Sequence, residues 1–240
     1  MNVYPINLIA GASLSGNVLS YSDVRNIYHK YLNHRAYFAQ GVVPTIAMEW
    51  TTPLYMDSLI IANTNCTKAI ISVAYSSGAP QVFIRELDIA RIEFFELDPL
   101  KLTRKISVSF TAPVNAQPYV GYCFAGNKMI LPRFTVNPER EPTMRGESQR
   151  TNNGQSYGKA VPTLDKISVK YLRIPDDTKK IVDDYIQSVQ KVVPHIVDWY
   201  PEAHEAFPPL YVTLTTGPVN TKRAENDFFW DFNLGWLEAR

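Results

Sequence analysis

The chain has 240 residues, a hydrophobic share of 45%, a charged share of 20% and a formal net charge of +1. These values fit one large or two small globular domains and exclude wholesale disorder. Lys and Arg number 24 against 23 Asp and Glu, too even for a dedicated nucleic-acid binder, and Gly 11 with Pro 17 is too little for a collagenous chain.

The first twenty residues carry no basic side chain, so the charged start of a signal peptide is not expected. Asn7 and Gly11 interrupt their apolar character, and no stretch approaches the ~18 apolar residues of a membrane-spanning helix. Residues 1–34 read as an N-terminal strand or arm. From residue 35 to 136 the chain predicts a β-sandwich. In residues 42–50 (VVPTIAMEW), Ile46, Met48 and Trp50 alternate with Ala47 and Glu49. Leu59 to Ala62 is a fully apolar core strand, and the AIISVA and QVFIR strands flank the turn Ser76-Ser77-Gly78-Ala79-Pro80. RIEFFEL follows, then KISVSF, whose Ile106, Val108 and Phe110 share one side. Strands at Tyr119 to Phe124 and Met129 to Val136 complete the set. Short strands spaced by turn residues mark a sandwich or jelly roll.

Residues 137–158 (NPEREPTMRGESQRTNNGQSYG) hold almost no aliphatic side chain. They read as a long polar loop or an arm that orders on a neighbouring subunit. Residues 159–240 read as an α+β region packed on the sandwich. Asp176 and Asp177 suit a helix N-terminus. Ile181, Val182, Tyr185, Ile186, Val189, Val192 and Val193 then form one apolar stripe, and Pro194 stops the helix. Leu210, Val212 and Leu214 alternate. Phe228, Trp230, Phe232, Leu234 and Trp236 recur at period two in a row that either closes the core or meets another chain.

Cys66 and Cys123 read as reduced core thiols, and Asn65-Cys66-Thr67 as a chance match to N-x-T. The histidines His29, His34, His195 and His204 fall in no zinc pattern, and His204 reads as solvated or backbone-bonded. No dinucleotide, phosphate-loop or nucleophile-elbow motif is present, and no carboxylate pair can be nominated from spacing. No catalytic, cofactor-binding or metal-binding residue is therefore named, and the expectation is a protein without enzyme activity.

The segment TIAMEWTTPLYMDSLIIANTNCTKAIISV resembles the early strands of galactose-binding-like jelly rolls. Its parts are Ile46 to Trp50, the turn Pro53 to Asp57, the apolar strand Leu59 to Ala62 and the corner Asn63-Thr64-Asn65. The continuation PYVGYCFAGNKMILPRF looks like structural proteins of tailed bacteriophages, in which a jelly roll is followed by a polar loop with a Ser-Tyr-Gly element, a strand and a helix. Ser156-Tyr157-Gly158, Ile167 to Leu172 and Asp176 to Val193 occupy those places. The resemblance implies a virion structural protein, made in the host bacterial cytoplasm, at the tail, tail tip or baseplate. Its partners would be other phage structural proteins and copies of itself in a symmetric ring. No nucleic acid, membrane or cofactor is expected.

The alternative is a carbohydrate- or receptor-binding module of the phage tail taking a host glycan, or a capsid decoration protein. Tyr55, Tyr75, Tyr119 and Trp199 are the rings nominated for stacking on a sugar.

Overall fold

Period-two alternation over residues 45–126 becomes two stacked antiparallel sheets. The computed structural model describes every residue except 30–33, 90, 144–145, 151–155, 161–163, 190–192, 205–206, 217–221, 224–228 and 240. These residues form two compact units, the first chiefly 2–129 with 198–209, the second chiefly 130–197 with 210–239.

The strands of the first part of the chain are β1 (Asn2–Tyr4), β2 (Ser13–Gly16), β3 (Ala36–Tyr37), β4 (Thr45–Tyr55), β5 (Ser58–Thr64) and β6 (Lys68–Tyr75). β7 (Gln81–Glu86), β8 (Glu93–Glu96), β9 (Leu102–Thr111), β10 (Tyr119–Gly126) and β11 (Met129–Ile130) follow. One sheet runs β2-β4-β9-β6-β7 and the other β3-β10-β5-β8. β4, β5 and β6 fall in alternate sheets, as do β7 to β10, which is the jelly-roll path. Ile46, Met48, Trp50, Leu59, Ile61, Ile106, Val108 and Phe110 all lie in one buried cluster between the sheets, as their alternation predicts.

β4 pairs with β9 up to Glu49↔Lys105 and resumes at Leu54↔Thr103, so four residues of β4 face one of β9. Pro53 sits in that gap, and with no N–H it cannot continue a ladder, so the strand bulges.

The second unit contains β12 (Val136–Thr143), β13 (Gly146–Arg150), β14 (Ser156–Ala160), β15 (Leu164–Pro175), α1 (Asp176–Val189), β16 (His195–Asp198), β17 (Leu210–Thr216), β18 (Lys222–Arg223) and β19 (Phe229–Glu238). Its strands run β16-β17-β19-β15-β12, with β18 beside β19. The predicted helix is present. Its buried side is narrower than the predicted stripe: Val182, Tyr185 and Val189 are covered and Ile181 is exposed, whereas Val193 lies beyond the helix and Val192 outside the described residues. Phe232, Leu234 and Trp236 are core residues, so that part of the aromatic row closes its own unit; Trp230 is half-buried, and Phe228 lies outside the described residues.

Among the described residues of 137–158, strands are present that the composition does not signal. β12 pairs with β15 from Val136↔Lys170 to Thr143↔Leu164. β13 pairs with β14 from Gly146↔Ala160 to Arg150↔Ser156. A ladder needs only backbone N–H and C=O groups, so scarce aliphatic side chains do not forbid it. They remove the period-two apolar signal by which a strand is read from sequence. Arg140 Nε reaches Asp165 Oδ2 at 2.8 Å and Lys170 approaches Glu139 at 3.7 Å, tying β12 to β15 through charges instead.

Candidate functional site

The pairing of β3 with β10 sets Tyr37 opposite Tyr119 and Ala36 opposite Val120. Ala36 and Val120 turn into the core, which sends both tyrosines to the other face. Their ring centroids are 6.0 Å apart at an interplanar angle of 58°. Both rings are half-buried. Arg35, the residue before β3, lays its guanidinium 4.0 Å from the Tyr119 ring centroid. Its terminal nitrogen extends to Asn63 Oδ1 at 3.5 Å.

The corner is held from behind by backbone contacts. The Arg35 carbonyl accepts from Asn26 Nδ2 at 3.0 Å, and the Tyr37 N–H donates to Ser22 Oγ at 2.9 Å. Asn63 has φ of 52°, in the left-handed region that asparagine tolerates better than most side chains. Opposite it, β10 carries Gly121, where a Cβ would stand 2.4 Å from Asn63 Nδ2 and 2.8 Å from its carbonyl oxygen. Only glycine leaves room there. The Asn65 amide accepts from the Tyr119 N–H at 2.8 Å and donates to the Gln117 carbonyl at 2.9 Å, so it is engaged in fixing this strand. Gln117 Nε2 in turn donates to the Tyr21 hydroxyl at 2.5 Å, and the Tyr21 ring is 71% exposed.

Of the four rings nominated from sequence, Tyr119 alone is brought into such a cluster. Tyr75 is buried, accepts from the Asp98 N–H at 3.2 Å and hydrogen-bonds Gln81. Trp199 is buried and cannot present a face to a ligand. Tyr55 is exposed at the end of β4. Arg35, Tyr37 and Asn63 were not nominated. Their signal is weak in the sequence, because residues 35, 63 and 119 meet only through strand pairing.

Two other sets of residues bear on chemistry. His204 is neither merely solvated nor backbone-bonded: its Nε2 lies 3.0 Å from Asp198 Oδ2. Asp198 is buried, and burial pushes its carboxyl above the usual range, opposed by the hydrogen bond from His204. The pairing follows from folding residues 198–204 back on themselves, which spacing does not show. Cys66 and Cys123 are free and buried, and burial alone pushes the Cys123 thiol up to about 12. Among the described residues no group of three His, Cys, Asp or Glu is placed to hold a metal ion, and no helix is long and apolar enough to cross a membrane.

No family model matches the chain, and no curated protein matches its sequence. Solved structures do show a likeness. The chain is similar to the family 32 carbohydrate-binding module of Clostridium perfringens NanJ, in complex with galactose, at 9% identity and a TM-score of 0.42, covering 52% of this chain and 98% of that one. A second family 32 module from C. perfringens, bound to GalNAc-β-1,3-galactose, gives 11% identity and a TM-score of 0.40 over 52% of this chain and 99% of the other. A family 29 fucosidase of Ruminococcus gnavus in complex with fucose gives 13% and 0.45, covering 52% of this chain and 27% of that one. The sandwich itself is evident from the strand order and shared core of its two sheets.

Proposed function

We propose that the chain is a non-catalytic carbohydrate-binding protein, with the corner formed by Arg35, Tyr37, Asn63 and Tyr119 as its sugar contact. The observation that carries this reading is the Arg35 guanidinium stacked on Tyr119 beside a second tyrosine and within reach of an asparagine amide. A sugar ring has an apolar C–H face and a rim of hydroxyls that both donate and accept. Aromatic faces take the first, and a guanidinium fork with an amide takes the second. The same set contains no acid–base pair or nucleophile, so it supports retention of a ligand rather than its turnover. Screening the protein on a panel of neutral and acidic glycans tests the reading: retention of at least one glycan supports it, and retention of none rejects it.

A second reading is favoured by the other unit. We propose that β13 and β14 serve as an assembly arm, and that the protein belongs to a tailed bacteriophage particle, at its tail, tail tip or baseplate. The supporting observation is the ladder of β13 with β14, a two-stranded sheet separate from the larger one. Two strands alone are marginal in water and gain from a neighbouring surface. Symmetric rings repeat such a contact at every subunit. Purified virions carrying this chain in a fixed multiple copy number support this reading, and its absence from particles rejects it.

A further inference from the structure

The β4 bulge coincides with a second slip in the same sheet. β6 pairs with β9 up to Ala74↔Lys105 and resumes at Tyr75↔Thr103. Arg104 is therefore the one residue of β9 passed over by both neighbouring ladders. A position skipped on both sides releases its side chain from the regular face of the sheet. The result is an open cleft of about 610 Å³, lined by Ser13, Glu49, Trp50, Thr51, Ser76 and Arg104. That volume lies within the ~300–1,000 Å³ of small-molecule sites.

Lys105, beside the cleft, adds a second cation to the Glu49 and Arg104 pair that lines it. Glu49 is approached by Arg104 Nε at 4.0 Å and by Lys105 Nζ at 3.8 Å, one on each carboxylate oxygen. Two cations share one carboxylate, and a second carboxylate would complete the set. The hydroxyls of Ser13, Thr51 and Ser76 supply donors and acceptors around it. We propose that this cleft is a second ligand site, distinct from the Tyr119 corner, and that it takes an acidic sugar whose ring carries a carboxylate. Arg104 grips the carboxylate and the three hydroxyls meet the sugar hydroxyls. Exposed ion pairs are individually weak, so the site is one of low affinity, strengthened by repetition where several copies of the chain act together.

Glucuronic acid is the probe, followed by NMR on the Thr51 and Ser76 amides, with glucose and acetate as controls. The expected result is saturable shifts with glucuronate, weakened about tenfold by Arg104→Gln and less by Lys105→Gln. Glu49→Gln removes the competing carboxylate and tightens binding, whereas Tyr37→Ala, at the other site, leaves it unchanged. Equal affinity for glucose, equal affinity for acetate, or indifference to both cation substitutions overturns the proposal. Failure here leaves the Tyr119 corner to be judged by neutral glycans and Tyr37→Ala alone.

Discussion

Trp236 donates its indole N–H to the Tyr185 hydroxyl at 2.7 Å, and that hydroxyl lies 2.5 Å from His195 Nε2. His195 Nδ1 is 3.0 Å from the Val193 carbonyl. A carbonyl can only accept, so Nδ1 carries the ring's proton and Nε2 accepts from Tyr185. The chain from β19 through α1 to the start of β16 is thus satisfied with every member neutral, in the middle of an apolar core.

This neutrality gives the second unit a pH dependence. Burial holds His195 down to about 4, against the ordinary histidine value of 6.5. Below pH 6.5 the unfolded chain takes up a proton that the folded chain refuses until about pH 4. Unfolding therefore consumes a proton in that window, and stability falls as pH drops through it, by roughly 3 kcal/mol in total. Above pH 6.5 this contribution to the slope vanishes. Thermal melts between pH 8 and pH 4 should show Tm constant at the top of the range and declining below 6.5, and His195→Gln should flatten the decline.

Tyr185→Phe removes the middle of the chain and strands both the Trp236 N–H and His195 Nε2. Each orphaned buried group costs about 1–3 kcal/mol, so a loss of about 2–6 kcal/mol is expected in urea unfolding. Tyr211→Phe serves as a comparison: Tyr211 is a buried tyrosine of the same unit that lies outside this chain.

Gly121→Ala tests the packing behind the Tyr119 corner. Its Cβ would come within 2.8 Å of the Asn63 backbone oxygen, a contact relieved only by moving β5 or β10. A destabilisation of about 1–3 kcal/mol is expected, with weaker glycan binding. Unchanged stability and unchanged binding would show that β10 and β5 yield there without strain.

Removing residues 144–162 shortens the hairpin beyond the β12–β15 ladder. The β13–β14 pair is a separate two-stranded sheet, so the melting transition of the remaining chain should move little, by the equivalent of about 1 kcal/mol or less. Particle assembly should fail. A chain that unfolds on this deletion would make the hairpin part of its own core.

Legibility in the sequence tracked how local each feature is. Ile46, Met48, Ile106 and Phe110 were readable because period-two alternation is written into each strand. The helix start at Asp176 was readable from capping chemistry. β12 to β14 were not, since their pairing is a backbone matter and their side chains are polar or small. The Tyr119 corner was one-quarter visible: Tyr119 stood out as a ring, while Arg35 and Asn63 join it across 84 and 56 residues of chain through the registers of β3 and β5 on β10. The Asp198–His204 pair depended on a loop conformation that six residues of spacing leave open.

The central claim is that the sandwich holds a sugar against Tyr37 and Tyr119, and calorimetric titration tests it most directly. The glycan retained on the panel is titrated into the native chain, Tyr37→Ala and Arg35→Gln, each checked for an unaltered melting transition. The expected result is saturable binding to the native chain, with losses of about tenfold for either variant, since a stacked ring and a guanidinium contact are each worth about 1–2 kcal/mol. Binding that both variants leave intact, or no heat from any glycan on the native chain, would contradict the account.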